Sequence, residues 1–422
     1  MSGVRLPLPD RLARLAAASA QARRRGVRDT AQRVVNRLYD RLDVGTLDFP
    51  LLPGDIADSR RLEPPLTRPP LAEGSTASIG FLCTPPSAGS GGHTTLFRMV
   101  EELERRGHRC VLYLYDRHGG DESRHSAVIR ANWPRLRSEV VLLTPETSFD
   151  GNSFRGGVDA VVASGWQTAH VLAKRTAGSS VRRLYFVQDF EPYFYPRGSL
   201  WALAEDSYRF GFRTISLGRM VYEHLRLDIG IDTDLVGFGC DTEVYYLTSP
   251  GALDDFERSG VVFYEKPGND RRGYTLARLA LEEFHRAHPE QPIHLYGDEG
   301  PAWSIPVVRH GRLTPPQLNE LYNRSIAGIA MSFTNISLVA EEMLAAGTIP
   351  VVNDTPSARA DLSHPDVAWA PPTPGGIADA LSRTVSAPDA QVRAARAASL
   401  VRQGWRDTAS RVADVILDEV TR

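Results

Sequence analysis

Cysteine is scarce in this chain: Cys83, Cys110 and Cys240 are all there is among 422 residues. An odd number at wide spacing argues against a disulfide framework and a clustered zinc site, and it fits a reducing cytoplasm. Long apolar runs are missing as well. No stretch approaches the roughly 18 residues of a membrane span, and arginines stand at the N-terminus where a secretory leader needs its apolar segment. Neither sign of charge is in excess. A formal net charge of -2 argues against a chain built as a polyelectrolyte for nucleic acid. The dinucleotide spacing GxGxxG is absent from the Gly-rich loop where it would matter, so a nicotinamide site is a weak reading.

What is present is enough apolar material, 42 % of residues, for two cores in a chain too long for one. Residues 1–74 differ from the rest. Ten arginines fall between Met1 and Arg41, and Ala31, Val34, Val35, Leu38 and Leu42 share one helical face. This predicts a basic amphipathic helix or helix pair, either a solvated face or a peripheral contact with an anionic membrane leaflet; Trp and Phe anchors are missing from its apolar side. A Pro-rich run over 53–70 reads as an extended linker.

From residue 77 strands and helices alternate, the pattern of a parallel sheet covered on both faces. Strands are expected over 77–83, 109–115, 139–143, 159–163, 183–187 and 213–216, with a Gly-rich loop and a helix (93–106) after the first. Gly89, Gly91 and Gly92 allow close approach of backbone to a ligand. A second series begins near residue 254, with strands over 259–264, 292–296, 306–308, 326–331, 349–352 and 367–369 and a helix at 315–323 that Thr314 would cap. Within it, 331–352 reads MSFTNISLVAEEMLAAGTIPVV: a turn, a helix carrying Glu341 and Glu342, then a strand. Such a turn places free backbone N–H groups and a positive helix end at a sheet edge, where phosphates bind, and a carboxylate farther along would meet a ribose. Adjacent helical residues lie about 100° apart, so only one of the two glutamates faces a ligand. Asp232 and Asp234 have DxD spacing, but in a segment between the domains, so no metal site is assigned.

The tandem domains, the GSGGH loop, the basic loop 266–273 and EEMLAAGTIPVV together resemble glycosyltransferases of the GT-B fold, in particular family 4. YFVQDFEPYFYP (185–196), FYEKPGNDRRG and SLVAEEMLAAGTIPVV look most like WsaF-type rhamnosyltransferases. The resemblance covers roughly 77–422. It implies an N-terminal Rossmann-like acceptor domain (75–250), a C-terminal nucleotide-sugar donor domain (251–403) and a terminal helix (404–422) packed back on the first domain. It implies a hexosyltransferase that retains anomeric configuration and needs neither metal nor cofactor. The donor would be dTDP-L-rhamnose and the acceptor a glycan or lipid-linked saccharide. Alternatives are a transferase or epimerase using a UDP- or GDP-sugar, or a silent carbohydrate-binding protein.

Position by position, Lys266 and Arg272 match the family's two diphosphate cations with the types exchanged. Of the family's paired glutamates with seven residues between them, the second falls on Glu342, facing the ribose. The first falls on Thr334, a departure; Thr334 is still expected on the donor side, with sugar contacts from backbone N–H groups of Asn335, Ile336, Ser337 and Leu338 and with Gly91 and Gly92 closing from the other domain. A family His at the end of the strand before the crevice is replaced by Gln188 and Asp189. Asp189 and Glu191 are then candidates for acceptor binding or, if the reaction inverts, for the base; Gln188 and Tyr193 join the acceptor side, Tyr193 with Phe194 and Tyr195 as flat faces for a sugar.

Overall fold

The computed structural model describes residues 49–143, 157–248, 257–336, 338–401 and 404–422. The chain divides into two compact units, Met1–Leu52 and Pro53–Arg422. The basic N-terminal helix expected from sequence lies outside the described residues.

Two parallel sheets organise the second unit. The first holds β1 (Ser78–Cys83), β2 (Arg109–Tyr115), β3 (Glu139–Leu143), β4 (Ala160–Ala163), β5 (Arg182–Val187), β6 (Arg213–Leu217) and β7 (Asp234–Val236), in the order β3-β2-β1-β4-β5-β6-β7. The second holds β8 (Val261–Glu265), β9 (Ile293–Gly297), β10 (Val308–Arg309), β11 (Ala327–Ile329), β12 (Ile349–Asn353) and β13 (Ala368–Ala370), in the order β10-β9-β8-β11-β12-β13. Residues such as Ile79, Phe81, Val161, Val162, Leu184 and Phe186 are fully buried, as expected of strands covered on both faces. The α/β class with two Rossmann-like domains expected from sequence is the observed one.

This order places the site. Each sheet reverses direction between its first strand and its fourth, at β1/β4 and at β8/β11. Loops leaving adjacent strands there run to opposite faces and open a crevice at the strands' carboxyl ends. The two crevices share one cavity.

One local expectation changes. The 53–70 run is not a free linker: Arg175 donates to Asp55 at 2.7 and 2.8 Å, Tyr115 Oη donates to it at 3.0 Å, and Arg68 pairs with Asp159 at 2.7 Å. It is a strap laid on the first domain. Helix Pro315–Arg324 has Thr314 at its N-cap, as expected, and the Gln317 side chain accepts the Thr314 N–H at 3.0 Å as the reciprocal half of a capping box. The last helix, Trp405–Thr421, buries Val412, Ile416 and Val420. Its Asp414 pairs with Arg106 at 2.6 Å, and Leu71 N–H donates to Val420 O at 2.8 Å. Among the described residues no helix is long and apolar enough to cross a membrane.

Candidate nucleotide-sugar site

A cavity of about 1020 Å³ is lined by loops that leave β1, β4, β5, β8, β9 and β11. That size accommodates a large ligand, ordinary pockets being of the order of 300–1,000 Å³. On the first domain the wall includes Gly91, Gly92, His93, Gln188, Asp189 and Glu191; on the second, Lys266, Arg271, Arg272, Asn335, Leu338 and Glu342.

The loop after β8 carries the cations. A short turn, Asp270–Arg272, ends at Gly273, whose φ is +69° and whose missing Cβ would stand 3.1 Å from the Met331 Cβ. A side chain there would be strained and crowded. Arg272 donates to Ser332 Oγ at 2.7 Å and to Asn335 Oδ1 at 3.4 Å. Burial, then the like charge of Arg271, pull its pKa down to about 10, so it stays cationic at neutral pH. Lys266 lies 5.9 Å from the Tyr264 ring centroid, and Tyr264 stacks on Tyr296 at 5.0 Å. Three cations on one short loop beside a cavity form a ready counter-charge for a diphosphate.

The loop after β11 is braced from behind. Asn353, fully buried at the end of β12, accepts the Ser332 N–H at 2.8 Å and donates to Ser332 O at 2.7 Å. The loop then turns into helix Leu338–Ala345. Ile336 lines the cavity with Asn335 and Leu338. Ser337 lies outside the described residues. Thr334 is buried and off the cavity wall, its hydroxyl donating to Asp189 at 2.8 Å.

Glu342 is the most telling side chain. It lines the cavity, and among the described residues nothing hydrogen-bonds to its carboxyl. Burial pushes its pKa up to about 7 against the pull of Arg98. A carboxyl set in a cavity wall without a partner is costly to the fold, and such costs cluster where a ligand supplies the missing bonds. Glu341, the neighbour on the helix, stays off the cavity wall; burial and Asp361 also raise it to about 7.

The acceptor side departs from the sequence-based expectation. Asp189 is 5 % exposed, and its oxygens accept from Arg271 (3.1 Å), the Thr334 hydroxyl (2.8 Å) and the Asn335 N–H (3.1 Å). Burial pushes its carboxyl upward, opposed by Arg271. A group expected as a base has both oxygens engaged by the other domain. Glu191 differs: Oε2 accepts from Trp166 N–H at 2.5 Å and Tyr185 Oη at 3.3 Å, while Oε1 has no partner among the described residues. Burial raises its pKa to about 8. Gln188 lines the cavity and its carbonyl accepts from Asn335 Nδ2 at 2.9 Å. Tyr193 leaves the site: it packs on Phe190 and Trp201, and its hydroxyl lies 3.3 Å from His224 Nε2. Phe194 takes the place expected of it, in the wall with Arg271 4.2 Å above its ring; Tyr195 instead accepts from Trp166 Nε1 at 3.0 Å.

Sequence reasoning missed Ser164, Gly165 and Gln167 after β4, and Tyr264, Tyr296 and Arg312 on the second domain. The β4 loop was findable from strand order alone, since β4 stands at the switch point. The others carry no local pattern. Among the described residues no group of three or more His, Cys, Asp or Glu is placed to hold a metal, and Asp234 of the DxD spacing is paired with Arg213 at 3.0 Å.

Comparison with known proteins agrees with this geometry. Residues 259–382 match the family model of the WsaF C-terminal domain, and residues 148–219 that of the WsaF N-terminal domain. The O-antigen biosynthesis protein RfbC of Myxococcus xanthus is 30 % identical over 347 residues, covering 78 % of this chain and 26 % of RfbC. The chain thus spans about a quarter of the length of the curated relative it matches. Among solved structures, a sucrose-phosphate synthase from Thermosynechococcus elongatus aligns with a TM-score of 0.60 at 14 % identity, over 81 % of this chain and 98 % of that one. Anabaena HepE in complex with UDP and glucose aligns with a TM-score of 0.60 at 14 % identity, over 80 % and 98 %. These structures share the GT-B fold with this chain, and two of its segments are similar to the WsaF domain models.

Proposed function

We propose that this chain is a WsaF-like glycosyltransferase of cell-surface polysaccharide synthesis, and that it moves L-rhamnose from dTDP-L-rhamnose to a glycan or lipid-linked saccharide. The observation that carries the reading is one cavity lined by the cations Lys266, Arg271 and Arg272 of the loop after β8 and by Glu342 on helix Leu338–Ala345, whose carboxyl has no hydrogen-bond partner among the described residues. Together they supply counter-charge for a diphosphate and an acceptor for ribose hydroxyls. As the sugar–phosphate bond breaks, negative charge grows on the departing diphosphate, and fixed cations favour that state over the ground state. The same cations do the neutralising a metal would do, so the reading needs no metal and no cofactor; the donor is a substrate. Backbone N–H groups of the 335–338 turn, with Gly91 and Gly92 opposite, would hold the sugar.

On the acceptor side the reading assigns Gln188, Glu191 and Phe194, with Glu191 Oε1 a carboxyl oxygen that has no partner among the described residues. The rhamnosyl reading is supported by the WsaF resemblance and by Thr334 in place of a sugar-side carboxylate, which suits a sugar with one hydroxyl fewer. Retention of configuration follows from the family 4 resemblance. Reaction on the inner face of the membrane, with the basic N-terminal segment touching the leaflet, fits a lipid-linked acceptor.

The test is a thermal-shift screen with dTDP, UDP and GDP followed by donor turnover, because a nucleotide that binds the folded form raises its Tm by mass action. The reading expects dTDP to stabilise and dTDP-L-rhamnose to release dTDP. Stabilisation by UDP alone would replace the rhamnosyl reading with a UDP-sugar transferase.

A further inference from the structure

Asp189 belongs to the first domain, at the end of β5, yet among the described residues every hydrogen bond to its carboxyl comes from the second. Arg271 and the Thr334 hydroxyl reach Oδ2 at 3.1 and 2.8 Å, and the Asn335 N–H reaches Oδ1 at 3.1 Å. Beside them Asn335 Nδ2 donates to Gln188 O at 2.9 Å. The donors come from two separate segments, the loop after β8 and the loop after β11. Those segments also touch each other, through Arg272 and Ser332 at 2.7 Å and through Phe333 N–H and Arg271 O at 2.9 Å.

We propose that Asp189 is a positioning residue that shapes the donor site from across the crevice, holding Arg271 and the 334–335 turn in the arrangement that receives a nucleoside diphosphate. The inference rests on the proposed donor site. Three features carry it. The carboxylate is an acceptor only, and all three partners are donors, so each side satisfies the other. One of the bonds is charge-assisted, and all three end on a carboxylate that is 5 % exposed, where bonds are stronger than in open water. And Arg271 is held on its other face by Phe194, 4.2 Å from the ring, also a first-domain residue. Without Asp189 the guanidinium would keep its stack but lose its aim, and the Asn335 N–H would be freed. A base for the acceptor proton would need an oxygen free to take it, and these are engaged.

The experiment uses the full-length chain as wild type, Asp189→Ala and Asp189→Asn. Hydrogen exchange without nucleotide reads the arrangement directly: segments 269–273 and 332–336 should exchange at least about tenfold faster in D189A, and D189N, whose amide oxygen still accepts but pairs with no cation, should fall between. Calorimetry with dTDP and with UDP should then show at least about tenfold weaker binding in D189A than in wild type, with partial recovery in D189N. Unchanged protection of 332–336 in D189A overturns the proposal. So does unchanged nucleotide affinity with lost turnover, which is the signature of a base. If D189A fails to fold, D189N alone decides by the same two readouts. A wild-type chain that binds no nucleotide would sink the donor-site reading, while the exchange result would still decide whether Asp189 holds the two loops.

Discussion

Single residues carry most of the chemical argument, and they were unevenly legible. The helical angle left one of Glu341 and Glu342 to face a ligand and the family resemblance pointed to Glu342; of the two, only Glu342 lines the cavity. What the sequence hides is that its carboxyl has no protein partner among the described residues, because that depends on what other segments leave empty. The consequence is testable. With a folded pKa raised to about 7 from an ordinary 4.5, protonation favours the native state, so this group's stabilising contribution is complete below about pH 4.5 and is lost as pH rises through 7. Glu342→Gln should therefore raise the stability of the unliganded protein by about 2 kcal/mol at pH 8 and change it little at pH 5, while weakening nucleotide binding. Urea unfolding at both pH values, paired with a nucleotide titration, checks it; a Gln variant less stable at pH 8 would contradict the account. Asp189 was visible as a residue of the site, but its partners lie 82, 145 and 146 positions away. No local pattern encodes that.

Elements were read more reliably than residues because their signals are local. Apolar runs marked every strand of both sheets except β7, whose segment reads from sequence as lying between the domains, and glycine marked turns whose geometry demands it. Gly347 ends helix Leu338–Ala345 at φ +82°, and a Cβ there would stand 2.7 Å from Arg258 Nη2 and 2.8 Å from the Ala394 Cβ. Arg258 is buried and donates to the carbonyls of Tyr322, Ser325 and Ala346 at 2.7–3.0 Å, so it has little freedom to move aside. Gly347→Ala should destabilise the fold by roughly 3 kcal/mol, the sum of left-handed strain and overpacking, read as a lower urea midpoint at unchanged slope. A cost under about 0.5 kcal/mol would mean the helix end relaxes freely. The Pro-rich segment shows the opposite case. Its composition reads as an open linker, yet Asp55 is 5 % exposed and bound to Arg175 and Tyr115, because composition says nothing of partners far along the chain.

At the scale of the whole molecule, two parallel sheets follow from the alternation visible in sequence, whereas the strand order that sets their switch points is supplied by the structure. The closing helix is less obvious. Trp405–Thr421 covers the first domain, with Trp405 8 % exposed against Gly239, where a Cβ would come within 2.8 Å of the Trp405 backbone. Removing residues 404–422 should lower Tm by about 10 °C or more or yield insoluble protein; a soluble truncation of unchanged Tm would show that this cover is dispensable. The central claim is that the cavity between the sheets binds a nucleoside diphosphate through the cations after β8. Calorimetric titration of dTDP, UDP, GDP and free thymidine into wild type and Arg272→Ala tests it most directly. The account predicts that one diphosphate, dTDP on the rhamnosyl reading, binds the wild type, that it binds the variant at least about tenfold more weakly, and that thymidine binds both alike and poorly. Equal diphosphate affinity in a folded Arg272→Ala variant, or no diphosphate binding to the wild type, would contradict it.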